Sequence, residues 1–148
     1  MKAELDLATL LGCMRPVEQT GEFVFCPVEG NAAEFLHLEP LAIIREQEGL
    51  TLILPAEIAE QNQLSVSNSF KQITLTIHSS LDAVGLTAAV SAKLAACGIS
   101  ANLISAYYHD HIFVPAEKST QALLALLELS RSWAQRMGTK CSEANKGG

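Results

Sequence analysis

Two six-residue stretches sixty positions apart, Leu52-Ile-Leu-Pro-Ala-Glu57 and Ile112-Phe-Val-Pro-Ala-Glu117, limit what this chain can fold into. Each is an apolar run closed by Pro-Ala-Glu. Proline has no N–H for a sheet ladder but suits the first turn of a helix, so each stretch reads as a strand feeding a helix. A hairpin precedes each junction. In the first, Leu41 to Glu46 and Leu50 to Leu54 flank Gln47-Glu48-Gly49, with Gly49 supplying the turn geometry. In the second, Ala101 to Tyr107 and Ile112 to Val114 flank Tyr108-His109-Asp110-His111. A β-rich segment heads each half: Glu22 to Val28, and Ile73 to His78 with Ile73, Leu75 and Ile77 on one face. The order is β-(α)-β-β-α twice. The first crossover helix is degenerate, reduced to a knot at Phe35-Leu36. That order predicts an α+β fold, helices on one face of an antiparallel ferredoxin-like sheet. Neither half shows a final strand, so the halves are expected to borrow strands from each other or from a second subunit.

The remaining elements follow from periodicity and breakers. A short helix over Leu5 to Leu11 is stopped by Gly12 and Pro16. Pro55 opens a helix over Ala56 to Gln61, and Gln61 to Phe70 is a polar connector with a short edge strand at Leu64 and Val66. A helix from about Leu81 to Cys97 carries Leu86, Val90, Leu94 and Cys97 on one stripe. Its flanking alanines, Ala88, Ala89, Ala92, Ala95 and Ala96, imply close approach to whatever it covers. The last helix, from Pro115 through Leu129, is leucine-rich on several sides and must be covered on more than one face. The domains are read as 1–68 and 69–136, with 137–148 a disordered tail.

At 148 residues and 49% apolar, the chain can bury a core. A net charge of −6 with no Lys/Arg cluster argues against a nucleic-acid or membrane-surface partner. No apolar run approaches the roughly 18 residues of a membrane span, and Glu4 and Asp6 interrupt any signal peptide. Cys13, Cys26, Cys97 and Cys141 have no CxxC spacing and read as reduced thiols of a cytoplasmic protein.

The candidate chemistry gathers where strand 73–78 runs straight into a helix. Ser79 and Ser80 are good N-caps, and Ser79 with Asp82 has capping-box spacing. Free N–H groups at such a helix start hold a carboxylate, and Asp82 offers a counter-charge to an ammonium. A zwitterion suits the corner better than a phosphate, which Asp82 would repel. Gly85, costing about 1 kcal/mol inside a helix, calls for close packing or a ligand backbone there. His109, Asp110 and His111, with His78 at the strand end, invite a zinc reading but fall short of a full ligand set. No Gly-x-Ser-x-Gly and no Gly-rich phosphate loop occurs.

Leu81-Asp-Ala-Val-Gly-Leu-Thr-Ala-Ala-Val, followed by Leu94-Ala-Ala-Cys-Gly-Ile-Ser-Ala-Asn102, resembles the ACT domain. Its pattern is Asp-x-Pro-Gly-hydrophobic at the first helix, then Ala-x-x-Gly-Ile-x-x-Asn into the second strand. Val84 stands where many ACT domains place proline. His78 to Thr87 with Tyr107-Tyr-His-Asp-His-Ile-Phe-Val-Pro looks like small tandem ACT-like bacterial proteins, similar to the ACT repeats of cytosolic arginine sensors. The match covers about residues 71–117 and, more loosely, Phe23-Val-Phe-Cys and Arg45 to Leu52. The resemblance implies tandem βαββαβ units, a homodimer, and an amino acid bound between paired ACT units. It points to a non-enzymatic sensor without cofactor or metal, holding its ligand through His78, Ser79, Ser80, Leu81, Asp82, Gly85, Asn102, His109, Asp110 and His111. The competing readings are a ligand-free protein-interaction module and a metal protein built on the His109–His111 loop.

Overall fold

The computed structural model describes residue 3, residues 5–64, residues 66–138 and residue 141. In chain order the elements are helix α1 (Leu7–Cys13), strands β1 (Pro16–Glu18) and β2 (Phe23–Val28), and a 3-10 segment (Ala32–Leu38). Strands β3 (Ala42–Arg45) and β4 (Leu50–Pro55), helix α2 (Ala56–Gln61) and strand β5 (Phe70–Leu75) follow. Helix α3 (Leu86–Ala96), strands β6 (Asn102–Ser105) and β7 (Asp110–Pro115), a 3-10 turn (Ala116–Lys118) and helix α4 (Ser119–Met137) complete the order. Two compact units result: Thr20–Lys71, and Met1–Gln19 together with Gln72–Gly148.

In the 20–71 unit the strands lie in the order β3-β4-β2, all antiparallel, with Leu52 opposite both Cys26 and Ile43. Alternation buries Val24 and Cys26 against Leu38, Leu52, Leu54 and Ala59, while Phe25 stacks on Phe70 with ring centroids 5.2 Å apart. Between β2 and β3 the chain has no helical stripe to bury, and it forms only the 3-10 segment, of which Leu38 alone is fully buried. No strand forms at Leu64 or Val66 among the described residues. Instead the backbone N–H of Phe25 donates to Ser67 Oγ at 2.9 Å.

In the other unit the order is β1-β5-β7-β6. Taking β5, β6 and β7 as first, second and third strands, β1 from the chain's beginning occupies the place of the fourth. It pairs antiparallel with β5, Val17 opposite Thr74. The missing final strand is therefore supplied from residues 16–18. α1 comes with it, burying Leu10, Leu11 and Met14 against Ile73, Leu75, Val90, Leu94, Ile112 and Leu126. Gly12 lets α1 lie close on α4: a Cβ there would stand 2.6 Å from Met137 Cε and 3.2 Å from the Ala134 backbone nitrogen.

α3 buries Leu86, Val90 and Leu94 as its stripe requires. Ala88, Ala92, Ala95 and Ala96, expected against a neighbour, are exposed instead; only Ala89 packs on the core. α4 is covered by α1, by α3 and by the sheet, leaving Leu124 and Leu127 exposed at 61% and 37%. The two junctions seen in sequence are alike in space. Thr51–Glu60 and His111–Thr120 share one burial sequence, and Pro55 and Pro115 have nearly equal φ/ψ (−53°, 137° and −50°, 134°).

The reading of four reduced thiols is corrected. Cys13 and Cys141 form a disulfide, and Cys26 and Cys97 are free. Spacing along the chain carries no trace of a bond between positions 128 residues apart. Of the expected disordered tail, Met137, Gly138 and Cys141 are described; the rest lies outside the described residues. No helix among the described residues is long and apolar enough to cross a membrane.

Candidate functional site

β5 ends at Leu75, and the segment leading to α3 carries the candidate residues. The helix does not begin at Ser79 or Ser80: its first residue is Leu86, and Gly85 is the N-cap, with φ 104° and no side-chain cap bond. Both serines are engaged elsewhere. Ser79 Oγ donates to Asp110 Oδ2 at 2.9 Å, both residues being buried. Ser80 Oγ accepts from the backbone N–H of Asp82 at 3.1 Å, and Ser80 carbonyl accepts from Ala83 N–H at 3.0 Å. A turn over 80–83 thus replaces the first helical turn. The physical reason is tertiary: a serine bound to a buried carboxylate is not available to cap.

The consequence is a bare helix start. The N–H groups of Leu86, Thr87 and Ala88 receive no side-chain cap, which leaves the positive end of α3 open. Leu81, Asp82 and Val84 beside it are exposed. From below, Leu7 closes the corner: a Cβ on Gly85 would meet Leu7 Cδ2 at 2.9 Å.

The β6–β7 hairpin brings the other candidates. Ala106 N–H donates to His109 carbonyl at 3.0 Å, leaving Tyr107-Tyr108 as its two-residue tip. His109, Asp110 and His111 do not converge. His109 Nδ1 donates to Ile77 carbonyl (3.2 Å), Asp110 accepts from Ser79, and His111 turns to the other face, its Nδ1 3.0 Å from both Gln72 Nε2 and Thr74 Oγ1. Among the described residues no group of three His, Cys, Asp or Glu side chains is placed to hold a metal ion. Asn102 stands opposite Phe113, three residues along β7 from Asp110, and its Nδ2 reaches Phe113 carbonyl at 3.4 Å. It is not gathered with the others.

Tyr107 and Tyr108 belong to the motif that carries the resemblance but are not among the candidate ligand residues, yet they shape the corner. The His78 ring lies 6.0 Å from Tyr107 and 5.5 Å from Tyr108, and the tyrosines are 66% and 56% exposed. His78 Nδ1 is enclosed without a hydrogen-bond partner among the described residues. The available signal was two consecutive aromatics at a hairpin tip, where Gly, Asn or Asp is usual. At the corresponding tip of the 20–71 unit the chain instead leaves an open cavity of about 260 Å³, lined by Val28, Glu29, Glu46, Glu48, Gly49 and Thr51 among others.

His111 gives a pH prediction. Gln72 Nε2 can only donate, and Thr74 Oγ1 already accepts from Gln19 Nε2, so His111 Nδ1 is the acceptor of a neutral ring. Burial first, then His109, pushes its pKa below the usual histidine value, Asp110 opposing them. The unfolded chain then binds the proton more readily. The stability from His111 is complete above about pH 6.5 and is lost as pH falls from there through the lower folded-state pKa. Melting temperature followed from pH 7.5 to 5 should fall more steeply in the wild type than in His111→Gln. Parallel curves would contradict it. Cys26 is fully buried and its thiol is pushed up by that burial, which keeps it protonated.

Two ACT-domain family models match the chain, over residues 2–71 and 69–128. A crystal structure of a Vibrio cholerae protein of unknown function, described as a possible transport protein, is 56% identical over 84% of this chain and 95% of its own, with a TM-score of 0.78. At low identity the fold alone is shared with aspartate kinase regulatory parts. The ligand-free regulatory subunit from Thermus thermophilus is 10% identical, with a TM-score of 0.60, over 77% of this chain and 95% of its own. The aspartokinase alpha and beta subunits give 14% identity and 0.58 over the same shares. No curated protein matches. With a ferredoxin-like strand order in its second unit and family matches in tandem, this chain belongs to the ACT-domain family.

Proposed function

We propose that this chain is a non-enzymatic regulatory protein of the cytoplasm that binds an amino acid at the corner formed by residues 79–85 and the β6–β7 hairpin, and that it works as a homodimer. The observation that carries the reading is the uncapped start of α3 beside the exposed carboxylate of Asp82. A carboxylate suits the free N–H groups and an ammonium suits Asp82, so one zwitterion satisfies both. Ser79, Asp110 and His109 brace the two walls rather than face the guest. Ser80, Leu81 and Gly85 shape the floor, while His78 under its tyrosines offers an enclosed nitrogen without a partner among the described residues.

Thermal unfolding against a panel of amino acids tests this. A ligand at a hundredfold excess over its Kd adds about 2.7 kcal/mol, which raises Tm by roughly 5–10 °C for a chain of this size. The shift should vanish in Asp82→Ala. A flat response across the panel would contradict the reading. The exposed Leu124 and Leu127 on α4 favour a second reading, a protein-docking module without ligand. A stable dimer with no response to any amino acid is what that reading expects.

A further inference from the structure

We propose that Cys13 and Cys141 are a reversible thiol–disulfide clasp, a redox-responsive site that fastens the end of α1 to the chain beyond α4. Their Cα atoms are 5.4 Å apart, within the range a disulfide spans without moving backbone. The contact between α1 and α4 does not depend on the bond. Gly12 lies against Met137 and Ala134, and Ser130 Oγ donates to Gly12 carbonyl at 3.1 Å. Leu10, Leu11 and Met14 hold α1 in the core on either side of the contact. α1 therefore stays on α4, with Cys13 beside the end of that helix, in both redox states.

The two sulfurs are unequal. Cys13 is 3% exposed, whereas Cys141 is only half-buried, and access decides which sulfur is attacked. A small thiolate such as that of glutathione attacks Cys141 Sγ. The S–S bond breaks, and Cys13 leaves with the electron pair and takes up a proton. A second thiolate then attacks the mixed disulfide, freeing the Cys141 thiol and leaving glutathione disulfide. Two glutathione thiols are oxidised and one protein disulfide is reduced; the reverse sequence with glutathione disulfide closes the clasp. Cys26, fully buried, and Cys97, half-buried on α3's end, stand outside this exchange. Leu7, at the other end of α1, lies against Gly85, so the clasp sits one short helix from the proposed ligand corner. It does not rest on that reading, and its test uses no ligand.

Native protein equilibrated in glutathione buffers of graded potential, then quenched in acid, unfolded, alkylated and weighed, should pass reversibly between two and four alkylated cysteines. The closed form should melt roughly 5–15 °C above the open one, because the bond restrains a very long loop in the unfolded chain. Cys141→Ser should melt like the open form at every potential, and Cys97→Ser should keep the full shift. Four free thiols counted after the quench throughout the glutathione range would overturn the clasp. So would a Cys141→Ser variant that melts with the closed wild type.

Discussion

Leu10→Ala is expected to destabilise the second unit by about 2–5 kcal/mol, although residue 10 lies more than sixty positions from the rest of that unit in sequence. Leu10 is completely buried in one cluster with Leu11, Met14, Leu75, Val90, Leu94 and Leu126. Truncating it removes the transfer free energy of three carbons and leaves a cavity that α1 cannot collapse into. Gly12 is already in contact with α4, and β1 is fixed in register on β5 by the Val17–Thr74 pair. The chain's single tryptophan makes the effect easy to assign. Trp133 on α4 packs against the same cluster, so its fluorescence reports this unit. In urea the midpoint should fall with little change in slope. Leu124→Ala, at a position 61% exposed on the same helix, should stay within about 0.5 kcal/mol of wild type. A Leu10→Ala loss as small as that would mean that α1 is an appendage.

Gly85→Ala is the second large effect, expected to cost about 2–4 kcal/mol. Two causes add. The backbone at φ 104° is outside the range L-residues adopt without strain, and the new Cβ would meet Leu7 Cδ2 at 2.9 Å. The contact is with the end of a flexible side chain, so the steric part is recoverable. In the Leu7→Ala background the same substitution should cost about 1 kcal/mol less than in the wild type, a coupling that a double-mutant cycle reads directly. Strict additivity would show that Leu7 does not support this corner. The corner is where the helix dipole, Asp82 and the proposed ligand meet, so the variant is also expected to weaken the response to ligand.

These two residues mark what the sequence could and could not disclose. The repeated Pro-Ala-Glu junctions, both hairpins and the buried stripe of α3 were legible because alternation, helical spacing and proline are local signals. Strand β1 was not. Three residues, Pro16-Val17-Glu18, are too few to show alternation, and their partner is Ile73 to Leu75 far along the chain. The start of α3 was misplaced because Ser79 and Ser80 have the chemistry of caps, while one of them is bound to a buried carboxylate contributed by another strand. The position of Asp110 explains why that happens here. It takes the place that Leu50 holds in the first unit, both opening the third strand and both buried. A carboxylate at a core position needs a donor, and Ser79 supplies one. No reading of local spacing finds such a pair.

The candidate residues divide on the same ground. His78, Ser79, Asp82 and Gly85 lie on one continuous segment and were found together because they are neighbours in sequence. His109 and Asp110 meet that segment through the hairpin, by hydrogen bonds to Ile77 and Ser79. His111 faces the other side of the sheet, as its period-two position next to Asp110 and Ile112 requires. The tyrosine pair, the Leu7 floor and the disulfide depend on contacts between distant parts of the chain.

The measurement that bears most directly on the ligand reading is an amide NMR titration with the amino acid that gives the largest thermal shift. Saturable shifts should centre on the backbone N–H groups of residues 82–88, extend to Tyr107–Asp110, and disappear in Asp82→Ala. Shifts confined to Glu29 and Glu46–Thr51 at the open cavity of the first unit, or none at any concentration, would contradict it.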